Sequence, residues 1–219
     1  MKYKFPNPSK VLEFSPKIMR HFAKNTQGVA AIEFAFIAPI MIAIYFGLAE
    51  ISMAIGASRN VSHSTNVAGD LLTQAPVTNR ADMEDILEAS LAVMQINPAR
   101  RQFATIELSS YRELTDGTRE RIGYARLGSA ITSGPETYNS ADIDDALISS
   151  TSGAIISRVN YNYEPTTFKF MNNVTLNEEF ILKPRVSSVL PFDEGGNNTF
   201  MCTADAALNV SCTASTTTG

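Results

Sequence analysis

The sequence predicts an α+β protein: one long N-terminal helix that crosses a membrane and continues as a stalk, then a small extracytoplasmic α+β domain with an antiparallel sheet. Three observations in the 219 residues point there. An apolar run of 31 residues, Gly28 to Ser58, follows a basic leader. Beyond it, apolar residues recur at helical spacing after Asn79, and β-forming segments then alternate with turn signals. The composition, 44% hydrophobic and 18% charged with two cysteines, excludes collagen-like, disulfide-dense and wholly disordered classes.

The leader, residues 1–28, carries Lys2, Lys4, Lys10, Lys17, Arg20 and Lys24 against Glu13 alone, a net charge of +5 within a chain of net charge −4. The rest is therefore −9. A cationic leader beside an apolar run, with an acidic remainder, is a topology signal rather than a nucleic-acid footprint. It sets the leader in the cytoplasm and everything beyond about Arg59 on the far side of the membrane.

In the apolar run, Glu33 and Glu50 are the only ionisable side chains apart from Tyr45. As a helix the run would reach about 46 Å, against a hydrocarbon core of about 30 Å. Its uncharged centre, Phe34 to Ala49, is longer than the core of a removable secretory signal. A carboxylate inside a span is costly and is a functional-site candidate by default, so Glu33 needs either a partner or a place among the headgroups. Glu50, near the far boundary, is expected to be a solvated edge residue. Pro39 lacks an N–H and crowds the preceding turn, so a bend is expected between Ala35 and Pro39. Ala31, Ala35, Ala43 and Gly47 either form a close-packing face or reflect chance spacing.

Past Arg59, NVSHSTNVAGDLLTQ continues the helix outward as an amphipathic stalk ending near Gln74, so residues 29–73 form the span and stalk and 74–219 the outer domain. Asn79 caps a helix carrying Met83, Ile86, Leu87, Leu91 and Met94, which stops before Asn97-Pro98. Phe103–Glu113 and Arg121–Gly128 form a hairpin around Thr115-Asp116-Gly117. Ser140 caps a short helix through Ile148. Ala154–Pro165 alternates cleanly and is the best strand, whereas Pro184 demotes Glu179–Leu190 to an edge. The tail from Gly195 is polar and flexible, with TASTTTG unstructured. Cys202 and Cys212, in an oxidising compartment, either form a bridge or remain two buried thiols.

The inventory of reactive groups argues against an enzyme. His63 is the one histidine beyond the membrane and falls on the exposed stalk, so no histidine-dependent triad has a cleft. The cysteines lack further zinc ligands nearby, and Asp142, Asp144 and Asp145 lack the glycine and closing glutamate of a common calcium loop. No cofactor, metal, nucleic acid or small-molecule substrate is expected.

The segment Gly28-Val29-Ala30-Ala31-Ile32-Glu33-Phe34 resembles the processing site of type IV prepilins and pseudopilins. More closely, GVAAIEFAFIAPIMIAIYFGLAEI resembles the TadE-like branch of the tight-adherence (Flp/Tad) pilus system. Gly28, Ala30, Ala31, Glu33, Phe34, Ala35, Ala38 and Pro39 match residue by residue, and the resemblance covers about residues 20–73. It implies a pilin-like long helix. It also implies cleavage after Gly28 by the membrane aspartyl prepilin peptidase of that system, with Val29 as the new N-terminus and Glu33 as the fifth mature residue. Glu33 and Phe34 become contacts to the filament or to sister subunits. The new α-amine, which ordinarily titrates near pH 8, would stand four residues from Glu33 on one helix face.

The function so implied is that of a minor pseudopilin, a structural component required to assemble an adhesive pilus. Its partners would be the peptidase, other Tad pseudopilins, the Flp pilin and the bacterial inner membrane. The alternative is an unprocessed single-pass membrane protein whose outer domain is a binding or adhesion module.

Overall fold

The computed structural model describes residues 28–128, 140–165 and 171–215. The leader expected at 1–28 lies outside the described residues except for Gly28. By compactness the chain divides into two units, residues 1–48 and 49–219.

Helix α1, Val29–Thr73, runs through Pro39 without interruption and contributes residues to both units. In the first unit its residues are apolar apart from Glu33 and Tyr45, and most are exposed, with Phe34 71% and Phe36 75% accessible. A helix with no polar face is built for lipid, not for water. Its 45 residues correspond to about 68 Å at 1.5 Å per residue.

In the second unit the stretch expected to be an amphipathic stalk packs one face into the domain as a core element, with Leu71 on the exposed side. Val61, Ser64, Thr65, Ala68, Gly69, Leu72 and Thr73 are all buried. The Ser157 hydroxyl donates to the Thr65 carbonyl at 2.9 Å, and Ser64 donates to the Ser90 carbonyl at 2.8 Å. At Gly69 a Cβ would meet the Leu182 side chain at 2.5 Å, so glycine is what lets the helix approach the sheet. The outer domain expected over 74–219 thus extends back to include the helix from Ala49 onward.

Helix α2, Arg80–Met94, starts at Asn79 with a reciprocal capping box. The Asn79 side chain accepts from Asp82 N, and the Asp82 carboxylate accepts from Asn79 N. Such a cap is worth about 1 kcal/mol. Met83, Ile86, Leu87, Leu91 and Met94, the residues picked out by spacing, are buried. Gln95 closes the helix in the left-handed region, before a 3-10 turn at Pro98–Phe103.

Six strands form one sheet in the order β4-β3-β1-β2-β5-β6. β1 (Ala104–Glu113) and β2 (Arg119–Leu127) are the expected hairpin, closed by the Leu114 N–H to Thr118 carbonyl bond and the Gly117 N–H to Leu114 carbonyl bond. β3 (Ala154–Tyr163) pairs antiparallel with β1 and with β4 (Val174–Leu182). β4 starts ahead of the expected segment and ends before Pro184, which cannot donate to a ladder. β5 (Thr199–Ala204) and β6 (Val210–Ser215) occupy the region expected to be a flexible tail, whose residues 216–219 lie outside the described residues. β5 pairs with β2 in parallel, so the sheet is mixed rather than antiparallel throughout. The helix expected from Ser140 is only a 3-10 turn, Ser140–Asp142.

Strand alternation divides the domain. Ile106, Leu108, Ala125, Leu127, Ile155, Val159, Phe200 and Cys202 join Ala68, Leu72 and the apolar face of α2 in the main core. On the other face Tyr111, Ala154 and Ile156 pack with Ile143 and Ile148. Phe192 stacks on Phe200 with ring centres 6.0 Å apart and lies directly over Gly123.

Candidate functional site

The residues singled out in the sequence for processing and partner contact, Gly28, Val29, Glu33, Phe34 and Pro39, fall at the start of α1 and within it. Gly28 stands one residue ahead of the helix, and Val29 opens it. Glu33 follows one turn later and is exposed, as is Phe34. Among the described residues no cation stands within ion-pair range of Glu33; Arg59 is the next basic residue along α1. Tyr45 and Phe46 meet edge to face at 5.6 Å farther along the same unit. Among the described residues α1 is the one helix long and apolar enough to cross a membrane.

The second acidic residue of the apolar run behaves opposite to expectation. Glu50 is 1% exposed and counts among the buried residues of α1. The signal was available in spacing. Positions 50, 54, 57, 61, 64, 68 and 72 are separated by three or four residues, so Glu50 lies on the helix stripe that turns toward the sheet. Tyr163, at the end of β3, feels this carboxylate. Its phenol is held above the ordinary tyrosine range by burial first and by the Glu50 charge second, while Arg100 acts in the opposite direction.

A row of charges that sequence reading missed crosses four strands. The register aligns Glu179, Arg158, Glu107 and Arg126 on adjacent strands. Glu107 is 2% exposed. It receives Arg158 Nη1 at 3.4 Å and the Tyr124 hydroxyl at 3.3 Å, and Arg158 Nε meets Glu179 at 3.2 Å. Burial, then the neighbouring Glu107 charge, raises the Tyr124 pKa. Arg121 sits 4.9 Å above the same ring. A periodicity scan registers such residues as the solvated face of a strand. Their partners are revealed only by strand order, since 51 residues separate Glu107 from Arg158.

Cys202 and Cys212 are joined by a disulfide across β5 and β6, where they form a facing pair. The Glu84 carboxylate of α2 accepts the Cys212 N–H at 2.7 Å. His63 is exposed on α1. Asp145 pairs with Arg119, and Asp144 accepts the Ala146 N–H, so these acids serve local structure. Among the described residues no three His, Cys, Asp or Glu side chains converge as a metal would require.

Residues 28–70 match the family model described as TadE-like protein. The match opens at Gly28 and runs through the apolar helix into its buried outer part, and this segment is TadE-like. It relates the chain to membrane proteins associated with the Tad pilus. Comparison with curated proteins and with solved structures returns no match.

Proposed function

We propose that the protein is a minor pseudopilin of a Tad (Flp) pilus. It is made as a precursor in the bacterial inner membrane with residues 1–28 in the cytoplasm and the bulk of the chain in the periplasm. The prepilin peptidase of that system cuts it after Gly28. It then acts as a structural component in pilus assembly and adhesion, a substrate of the peptidase rather than a catalyst, with other Tad pseudopilins and the Flp pilin as partners.

The observation that carries this reading is the position of Gly28 at the head of the TadE-like segment, one residue before a helix that opens with a long apolar run. Among the described residues, a side chain at residue 28 would meet nothing within 4 Å. The described residues therefore make no packing demand for glycine there. A peptidase cleft that must pass the chain without a side chain at the cut is a sufficient reason.

Cleavage would also give Glu33 what the described chain lacks. The Val29 α-amine would lie four residues away, on the same helix face, or the same pair would form between neighbouring subunits in an apolar bundle. Phe34, exposed beside it, is available to the same neighbour.

Intact-mass and N-terminal analysis of protein extracted from its native host tests the proposal. A mature chain beginning at Val29 is expected. Retention of residues 1–28 in cells with an active peptidase would refute processing and leave an unprocessed single-pass protein with an outer binding module. For Glu33→Gln, insertion is expected to persist while recovery of sister pseudopilins and piliation fall; unchanged piliation would count against its contact role.

A further inference from the structure

We propose that the outer edge of β4 receives an extended segment of a partner protein, cationic at its centre, which adds to the sheet as a further strand. Every residue involved lies within the second unit, and the inference stands whether or not the chain is cut after Gly28.

One hydrogen bond and the register fix which way each backbone group points. The Tyr124 N–H donates to the Asn198 carbonyl, so the backbone groups of Tyr124 face β5 and those of Ala125 face β1. Ala125 opposes Leu108, Glu107 opposes Arg158, and Val159 opposes Glu178. Because direction alternates along each strand, Leu108 bonds toward β2, Glu107 toward β3, and Val159 and Glu178 toward each other. The N–H and C=O groups of Thr175, Asn177, Glu179 and Ile181 therefore point away from the sheet. Among the described residues β4 pairs with β3 alone, in one continuous register without a bulge, and no proline interrupts it. Such a row of donors and acceptors is a template for another strand.

The side chains along β4 select the occupant. Leu176 packs against the main core and Leu182 lies against Gly69, so Glu178 and Phe180, which alternate with them, share the side that faces α1. All four are only half-buried. Helix α2 packs on the other side of α1, through Asn60 and Ser64, so among the described residues no second helix covers this row. Glu178 stands midway along it. Among the described residues nothing bonds its carboxylate, whereas Glu179, on the opposite face, pairs with Arg158.

In an antiparallel addition, the residue opposite Glu178 belongs to a non-hydrogen-bonded pair, the kind in which facing side chains are closest. A lysine or arginine there meets the free carboxylate, and apolar residues two places to either side meet Leu176 and Phe180. A second copy of β4 paired along its full length would set Glu178 against itself. Charge thus favours a cationic partner over a second copy.

The probe is a labelled peptide as long as β4, Val-Thr-Val-Thr-Lys-Thr-Val-Thr-Val, titrated into the full chain in detergent and followed by fluorescence anisotropy. Saturable binding is expected. Asn177→Pro removes one outward N–H and leaves the ladder to β3, so it should weaken binding about tenfold or more with circular dichroism unchanged. Glu178→Lys should weaken binding about fivefold, and a peptide with glutamate in place of its lysine should recover that loss. On the unaltered chain, N-methylation of the fourth and sixth peptide residues, whose amides face β4, should remove binding, while N-methylation of the third and seventh should not. Absence of saturable binding, or binding indifferent to where the methyl groups sit, would overturn the added strand. Equal binding of the lysine and glutamate peptides to the unaltered chain would overturn the cationic partner. Self-association of the chain that Asn177→Pro abolishes would overturn it too, giving the edge to a second copy.

Discussion

Reducing the Cys202–Cys212 bridge perturbs the chain with little change in native packing, since two thiols fill nearly the volume of the disulfide. The bridge joins residues ten apart in sequence. Closing a loop of that size removes about 9 cal/mol/K from the unfolded ensemble on the chain-entropy relation, or about 2.7 kcal/mol at 25 °C. The second unit, residues 49–219, has an unfolding entropy of about 0.36 kcal/mol/K at roughly 2.1 cal/mol/K per residue. Dividing one by the other predicts a fall in Tm of about 7 °C. The measurement is thermal unfolding of the full chain in detergent by circular dichroism, with and without a phosphine reductant, and with free thiols counted by mass after alkylation. Reduced and oxidised samples melting together would refute the entropic account. Cys202→Ala with Cys212→Ala should lower Tm further, because both sulfur atoms belong to the main core and their removal leaves space.

Other expectations follow from packing and charge. Gly123→Ala would set a Cβ 2.4 Å from the Phe192 ring, so the stack on Phe200 must shift, at a cost of about 1–3 kcal/mol read as a lower urea midpoint. Glu107→Gln removes one charge from the buried row while Arg158 keeps Glu179. A loss near 3 kcal/mol is expected, with no loss signifying that the row carries little net stability. Because the Tyr124 pKa is raised on folding, its favourable term is present below pH 10 and fades as the pH climbs above that value, where the unfolded phenol ionises first. Alkaline unfolding followed by fluorescence should therefore flatten in Tyr124→Phe. Gly28→Leu should leave the fold unchanged by circular dichroism and abolish processing; normal cleavage would show that residue 28 is not read by the peptidase.

What could be read from the sequence was whatever depends on near neighbours. Asn79 and Asp82 cap α2 from three residues apart, and the β1–β2 turn closes within five. The long apolar helix, a candidate span, announces itself by composition alone. The missed features all depend on partners distant in sequence. β5 and β6 are short and rich in Thr, Ser and Asn, and they become strands because β2 supplies a parallel edge from more than 70 residues earlier. The same dependence hid Glu107, whose burial is decided by β3, and Glu50, whose position at the end of an apolar run suggested water while its helical phase turned it toward the sheet. For the candidate site, Gly28 and Glu33 stand out locally: a glycine at the boundary between a basic leader and an apolar run, and an acid among aliphatic residues.

The Glu84 carboxylate has an effect out of proportion to one hydrogen bond. β6 is a terminal strand, and the amide of Cys212 would otherwise offer itself to any passing extended chain. Occupied from above by a side chain of α2, that margin discourages zippering by unfolded neighbours, the first step toward fibrous aggregates. In a crowded compartment such a guard keeps association from starting along the wrong border.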